Sequence, residues 1–177
     1  MRQLASAERI NRFLGELARA AHAPANVYLT GGSSAVLLGW RGTTKDVDLK
    51  LVPDSDDLLR AIARLKDELQ VNVELAAPDQ FLPALPEWRE RSVFIRRDEP
   101  LTFLHYDFYS QALAKAERGH LQDLADFESM RGARLIDDDQ LFTLFEAIEP
   151  EVYRFPAVDV RDLRRRLEEL LGRRPKA

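Results

Sequence analysis

Two short stretches put residue types where they disfavour regular structure and could do chemistry. In "VYLTGGSSAVLLGW" two glycines and two serines follow an apolar run, and in "DVDLKLV" two aspartates stand one residue apart. Glycine is costly inside regular elements and acidic residues are poor strand formers. Side chains alternate along a strand, so Asp46 and Asp48 share one face while Val47 and Leu49 take the core side. Their Cα atoms should then be about 6.6 Å apart, at roughly 3.3 Å of rise per residue. Carboxylates at that spacing can share a divalent cation. Magnesium suits them, because it prefers oxygen ligands, keeps several waters and often bridges one or two carboxylates to phosphates. Lys50 lies on the same face and could touch an anion at its edge.

Gly31 and Gly32 supply the other half. Without a Cβ, backbone can approach a phosphate closely, and a turn into a helix presents amide N–H groups to it. Ser33 and Ser34 add hydroxyl donors. Taken singly, "GGSS" reads as an ordinary strand-to-helix turn and "DVD" as a solvent-facing edge strand. Their succession is more specific, and it reads as a triphosphate held by the glycine turn beside a metal held by the acidic strand.

The elements that must position these residues follow from periodicity. Ile10, Phe13, Leu14 and Leu17 fall at helical spacing, which predicts an amphipathic helix over 6–21. "VYLT" reads as a strand, "SSAVLLGW" as a brief helix and "RGTTK" as a loop. "DVDLKLV" ends at Pro53, "DSDD" caps a helix at 56–69, and "VNVEL" is a third strand. The proline-broken "AAPDQFLPALPEW" reads as a loop long enough to cover a site. "SVFIRR" and "LTFLHYDF" flank "DEP" and predict a hairpin. Four helices follow, with stops at Gly119, Gly132, Pro150 and Gly172. This order predicts a small α/β or α+β sheet domain over 1–132, with a helical extension over 133–177 packed on it.

Composition narrows the class. The chain has 177 residues, 45% hydrophobic and 32% charged, enough to bury a core without staples. It has no cysteine, which excludes disulfides and thiolate chemistry. No apolar run approaches the roughly 20 residues needed to span a bilayer, and the N-terminus lacks a signal-peptide core, which fits a cytoplasmic protein with no membrane partner. The net charge of −4 argues against indiscriminate nucleic-acid binding. Two basic clusters could still meet phosphates: Arg161, Arg164, Arg165, Arg166, Arg173, Arg174 and Lys176, and Arg89, Arg91, Arg96 and Arg97. Solvated helix and loop faces are the plainer reading of both. His22 reads as a surface residue and His105 as strand packing. No histidine, His120 included, supports a metal site or a serine triad.

The glycine-serine turn followed by an Asp-x-Asp strand resembles the nucleotidyltransferase superfamily that includes DNA polymerase β. The resemblance implies a small mixed sheet flanked by helices, NTP as substrate, Mg²⁺ (Mn²⁺ as an alternative), and transfer of NMP to a hydroxyl with release of pyrophosphate. It carries over to Gly32, Ser33, Asp46 and Asp48. A second stretch, "QALAKAERGHLQDLADF", resembles the Lys-x(7)-Asp-x-x-Asp segment of AbiEii-like and MenT-like nucleotidyltransferases, many of which are toxins beside an antitoxin. In those relatives the lysine contacts nucleotide phosphate and a nearby aspartate supports catalysis, roles that fall on Lys115 and Asp123 here. Asp126 completes the spacing. The superfamily's third carboxylate, from a neighbouring strand, falls on Glu74 before Asp107, or is missing from this chain. The resemblance thus implies a toxin-type enzyme, with tRNA as one acceptor and an antitoxin as partner. The competing reading is a non-catalytic module that binds nucleotide or a partner chain on the same scaffold.

Overall fold

Strands and helices alternate as expected in the first part of the chain, in a computed structural model that describes residues 3–173. The chain divides into two compact units, Met1–Ala77 with Ser92–Tyr106, and Pro78–Arg91 with Asp107–Ala177. Among the described residues, no helix is long and apolar enough to cross a membrane.

The first unit opens with β1 (Ala5–Ser6), whose Ser6 side chain accepts a hydrogen bond from the Arg9 N–H and so caps α1 (Ala7–Ala20). The helix buries Ile10, Phe13, Leu14 and Leu17, the stripe predicted from spacing. β2 (Ala25–Thr30) runs directly into α2 (Gly31–Leu37), so the glycines are the first residues of the helix and not a turn before it. β3 (Thr43–Thr44) pairs antiparallel with β1, a two-residue ribbon inside the stretch read as a loop. β4 (Asp46–Val52) alternates as the sequence suggests, with Val47, Leu49 and Leu51 buried. Ser55 caps α3 (Asp56–Glu68) by accepting from the Leu58 N–H, and β5 (Asn72–Glu74) follows.

The main sheet has the order β5-β4-β2-β7-β6, where β6 (Val93–Asp98) and β7 (Leu101–His105) form the predicted hairpin. It is mixed: β2 is antiparallel to β4 and parallel to β7, and β4 is parallel to β5. The core joins Phe13, Leu14 and Leu17 of α1 and Leu58, Ile62 and Leu65 of α3 to Val27, Leu29, Val47, Leu49, Val73 and Phe103 of the strands. Removing such side chains from water, at about 25 cal/mol per Å² of apolar area, is the main drive that fixes strand register here.

The second unit is helical. It holds α4 (Trp88–Arg91), α5 (Phe108–Arg118), α6 (Leu121–Gly132), α7 (Asp138–Ile148) and α8 (Val160–Leu170). The proline-broken stretch read as a loop contains a short 3₁₀ turn at Pro78–Gln80 and ends at Trp88, the first residue of α4. Asp107 does not continue β7, which stops at His105; its carboxylate accepts from the Tyr109 and Ser110 N–H groups and caps α5. Gly119 ends α5 at φ 66°, in the left-handed region that favours glycine. Phe127, Leu141, Phe145 and Leu167 are fully buried. A small mixed sheet flanked by helices, followed by a helical C-terminal part, is the arrangement expected of a polymerase β-like nucleotidyltransferase fold.

Candidate active site

Strand register brings the glycine turn onto the acidic strand. Thr30, the last residue of β2, stands opposite Asp48, so Gly31 begins α2 beside that carboxylate. A Cβ built on Gly31 would lie 2.7 Å from Asp48 Oδ2, and the residue's φ of 59° is itself unfavourable to other side chains. A Cβ on Gly32 would drive into the Thr44 side chain and lie 3.3 Å from an Arg41 guanidinium nitrogen. Both glycines are therefore required by close approach.

Asp46 and Asp48 are half-buried on the face opposite the core residues of β4. On the adjoining parallel strand, Asn72 stands beside Asp46 and Glu74 beside Asp48. Asn72 Nδ2 donates to Asp46 Oδ1 at 2.5 Å and to Glu74 Oε1 at 3.2 Å. Of the two candidates for a third carboxylate, Glu74 is exposed on the same face as the aspartates. Asp107 is fully buried in the second unit, where Arg91 holds it through bonds of 3.1 and 3.0 Å and Ser110 Oγ donates to it at 2.7 Å. Its charge is committed to that cap. Among the described residues no three His, Asp or Glu side chains gather into a ready metal cage. The donor set still fits magnesium, which keeps waters and is held by one or two carboxylates together with substrate phosphates.

The serines are placed differently from the expectation that they offer hydroxyls to phosphate. Both are buried. Ser33 Oγ donates to Thr30 O at 2.7 Å and lies 3.1 Å from Asp48 O, while Ser34 Oγ donates to Leu29 O at 3.0 Å. A hydroxyl has one proton to give, and here both protons go to backbone carbonyls. The physical reason is the helix that starts at Gly31, which turns these side chains back toward the ends of β2 and β4. His105 is buried on β7 as expected of a packing residue, and it also lies 2.9 Å from Ser34 Oγ through Nδ1. Burial lowers its pKa to about 4.

Lys115 is neither a solvated helix cation nor an open one. It is buried in the second unit, 2.5 Å from Asp126 Oδ2 and 3.6 Å from Asp123 Oδ1. Arg118 reaches Asp123 at 2.7 Å. Gly119 breaks the chain into two helices, yet the turn between α5 and α6 brings all four charges together.

The basic clusters are largely neutralised within the fold. Arg164 meets Glu149, Arg165 meets Asp162 and Glu169, Arg166 meets Asp162, and Arg173 meets Asp139. Arg96 meets Asp98, Arg97 meets Glu99, and Arg89 lies over the Trp88 ring. Arg174 and Lys176 lie outside the described residues. Asn72 and Arg41, which reading by motif missed, became visible once register and loop placement were known; their residue types alone carry no signal.

No curated protein and no solved structure matches the chain. Residues 8–172 match the family described as "Nucleotidyltransferase of unknown function (DUF6036)", and the chain belongs to that family.

Proposed function

We propose that this protein transfers a nucleoside monophosphate from an NTP to a hydroxyl acceptor, in a Mg²⁺-dependent reaction at the junction of α2 and β4. The observation that supports it best is the 2.7 Å between Asp48 Oδ2 and the point where a Gly31 side chain would begin, which sets bare backbone beside an acidic strand. Asp46 and Asp48 would hold the cation, with Glu74 on the neighbouring strand as the third carboxylate. When bound, the cation supplies charge stabilisation at the attacking and leaving oxygens of in-line displacement. Asn72 orients the Asp46 carboxylate, and Ser33 fixes the turn against the end of β2 through Thr30 O. The missing side chains at Gly31 and Gly32 let Asp48 and Thr44 close against the first turn of α2, which sets that turn beside the acidic strand. Lys50, on the same face, adds positive charge at the site edge.

An RNA acceptor, tRNA included, and a cognate antitoxin enter this proposal through the resemblance of the two motif stretches to toxin-type nucleotidyltransferases. The test is calorimetric titration with each NTP, with and without Mg²⁺, followed by mass spectrometry for pyrophosphate. Mg²⁺-dependent NTP binding that Asp46→Asn/Asp48→Asn removes, together with pyrophosphate release, is the expected result. Binding without turnover across candidate acceptors would favour a non-catalytic module instead.

A further inference from the structure

The pair formed by His105 and Ser34 is polar and almost wholly buried, at 6% and 1% exposure, beside a core built from Leu29, Leu49 and Phe103. His105 is the strand partner of Leu29 in the parallel β2–β7 pairing. With the Ser34 proton on the Leu29 carbonyl, the imidazole donates from Nδ1 to Ser34 Oγ over 2.9 Å. Replacing both members of a buried hydrogen-bonded pair by apolar groups of like shape can be nearly neutral for folding, so such a pair invites a role beyond stability. Ser34 lies in the first turn of α2, next to Ser33, whose hydroxyl proton ties the same turn to Thr30 O at the end of β2. The glycine turn is thus held from two strands, from β2 through Ser33 and from β7 through Ser34.

We propose that His105 is a positioning residue, which holds the Gly31–Ser34 turn at the separation from Asp48 that nucleotide binding needs. This rests on the nucleotidyl-transfer reading. In this role His105 acts through Ser34. The ring is neutral near pH 7, because burial lowers its pKa to about 4, and neutrality leaves the link independent of pH in that range.

Side-chain geometry supplies a sharp test. H105N puts an amide nitrogen near the place of Nδ1, H105Q puts it near the place of Nε2, and H105L removes the donor. Two quantities are measured on the full chain: amide hydrogen exchange over residues 31–35, and the Kd of each Mg²⁺-NTP. H105L and H105Q should raise exchange and weaken NTP binding about tenfold, the worth of one hydrogen bond, while H105N recovers most of both at a melting temperature no higher than that of H105Q. Ser34→Ala cuts the same link from the other side and should reproduce the H105L pattern even if H105L folds poorly. Equal exchange and equal affinity in all variants overturn the inference, as does equal loss in H105N and H105Q. A wild-type chain that shows the exchange pattern but binds no NTP would remove the nucleotidyl-transfer reading and leave the turn-holding role. Normal NTP binding with flat exchange would remove this inference alone.

Discussion

Asp46 and Asp48 share a strand face but differ in what holds them. Asp46 gives an oxygen to the Asn72 amide, whereas Asp48 presents its Oδ2 to the glycine turn. Asp48→Asn keeps the shape and removes the charge, so it should cut NMP incorporation by at least about 100-fold while the melting temperature holds, a contrast read by activity assay beside calorimetry. Lys115 is the opposite case. Its ammonium is sealed against Asp126 and Asp123, and Lys115→Met would strand buried carboxylate charge, costing about 3–5 kcal/mol in urea unfolding. Adding Asp126→Leu should return a good part of that loss. His105 gives a pH signature. Its pKa is about 4 in the fold against 6.5 for the free group, so the unfolded chain binds more protons between those values. Its share of stability is therefore complete above pH 6.5 and is lost as pH falls toward 4, up to about 3 kcal/mol. Urea midpoints at pH 5 and pH 7 should differ less in H105N than in the wild type.

Elements carry the next level of the account. Gly31 combines φ 59° with a forbidden Cβ position, so Gly31→Ala should destabilise by about 1–3 kcal/mol and also displace the turn from Asp48. Chemical denaturation checks the first effect and NTP affinity the second. Much of this element map is legible in the sequence. The alternation of "DVDLKLV", the stripe of α1, the Ser55 cap and the Gly119 stop are local signals, and each element stands where those signals place it. What was not legible is long-range or very short. The pairing of Thr30 with Asp48, and of Asp48 with Glu74, depends on the strand order, which no local pattern encodes. The β1–β3 ribbon is two residues long on each side, too short for any period. Asp107 reads as strand by alternation, but an aspartate followed by a helical run is also a cap, and the cap prevailed. Residue type marks Ser33 and Ser34 as donors; only the turn geometry shows where their protons go.

At the scale of the whole molecule, the family match runs through residues of both compact units, so the proposed activity should be assayed on the full chain. The arginines that make parts of the sequence look basic are mostly spent on neighbouring carboxylates, in keeping with a net charge of −4. On the proposed reading, recognition of an acceptor would rest less on a broad cationic surface than on the site around the acidic strand. The most direct measurement of the central claim is incubation of the chain with each α-labelled NTP, Mg²⁺ and total cellular RNA, beside the Asp46→Asn/Asp48→Asn variant. The account predicts label transferred by the wild type, dependent on Mg²⁺ and absent in the variant. Label transfer at wild-type rate by the double variant would contradict it.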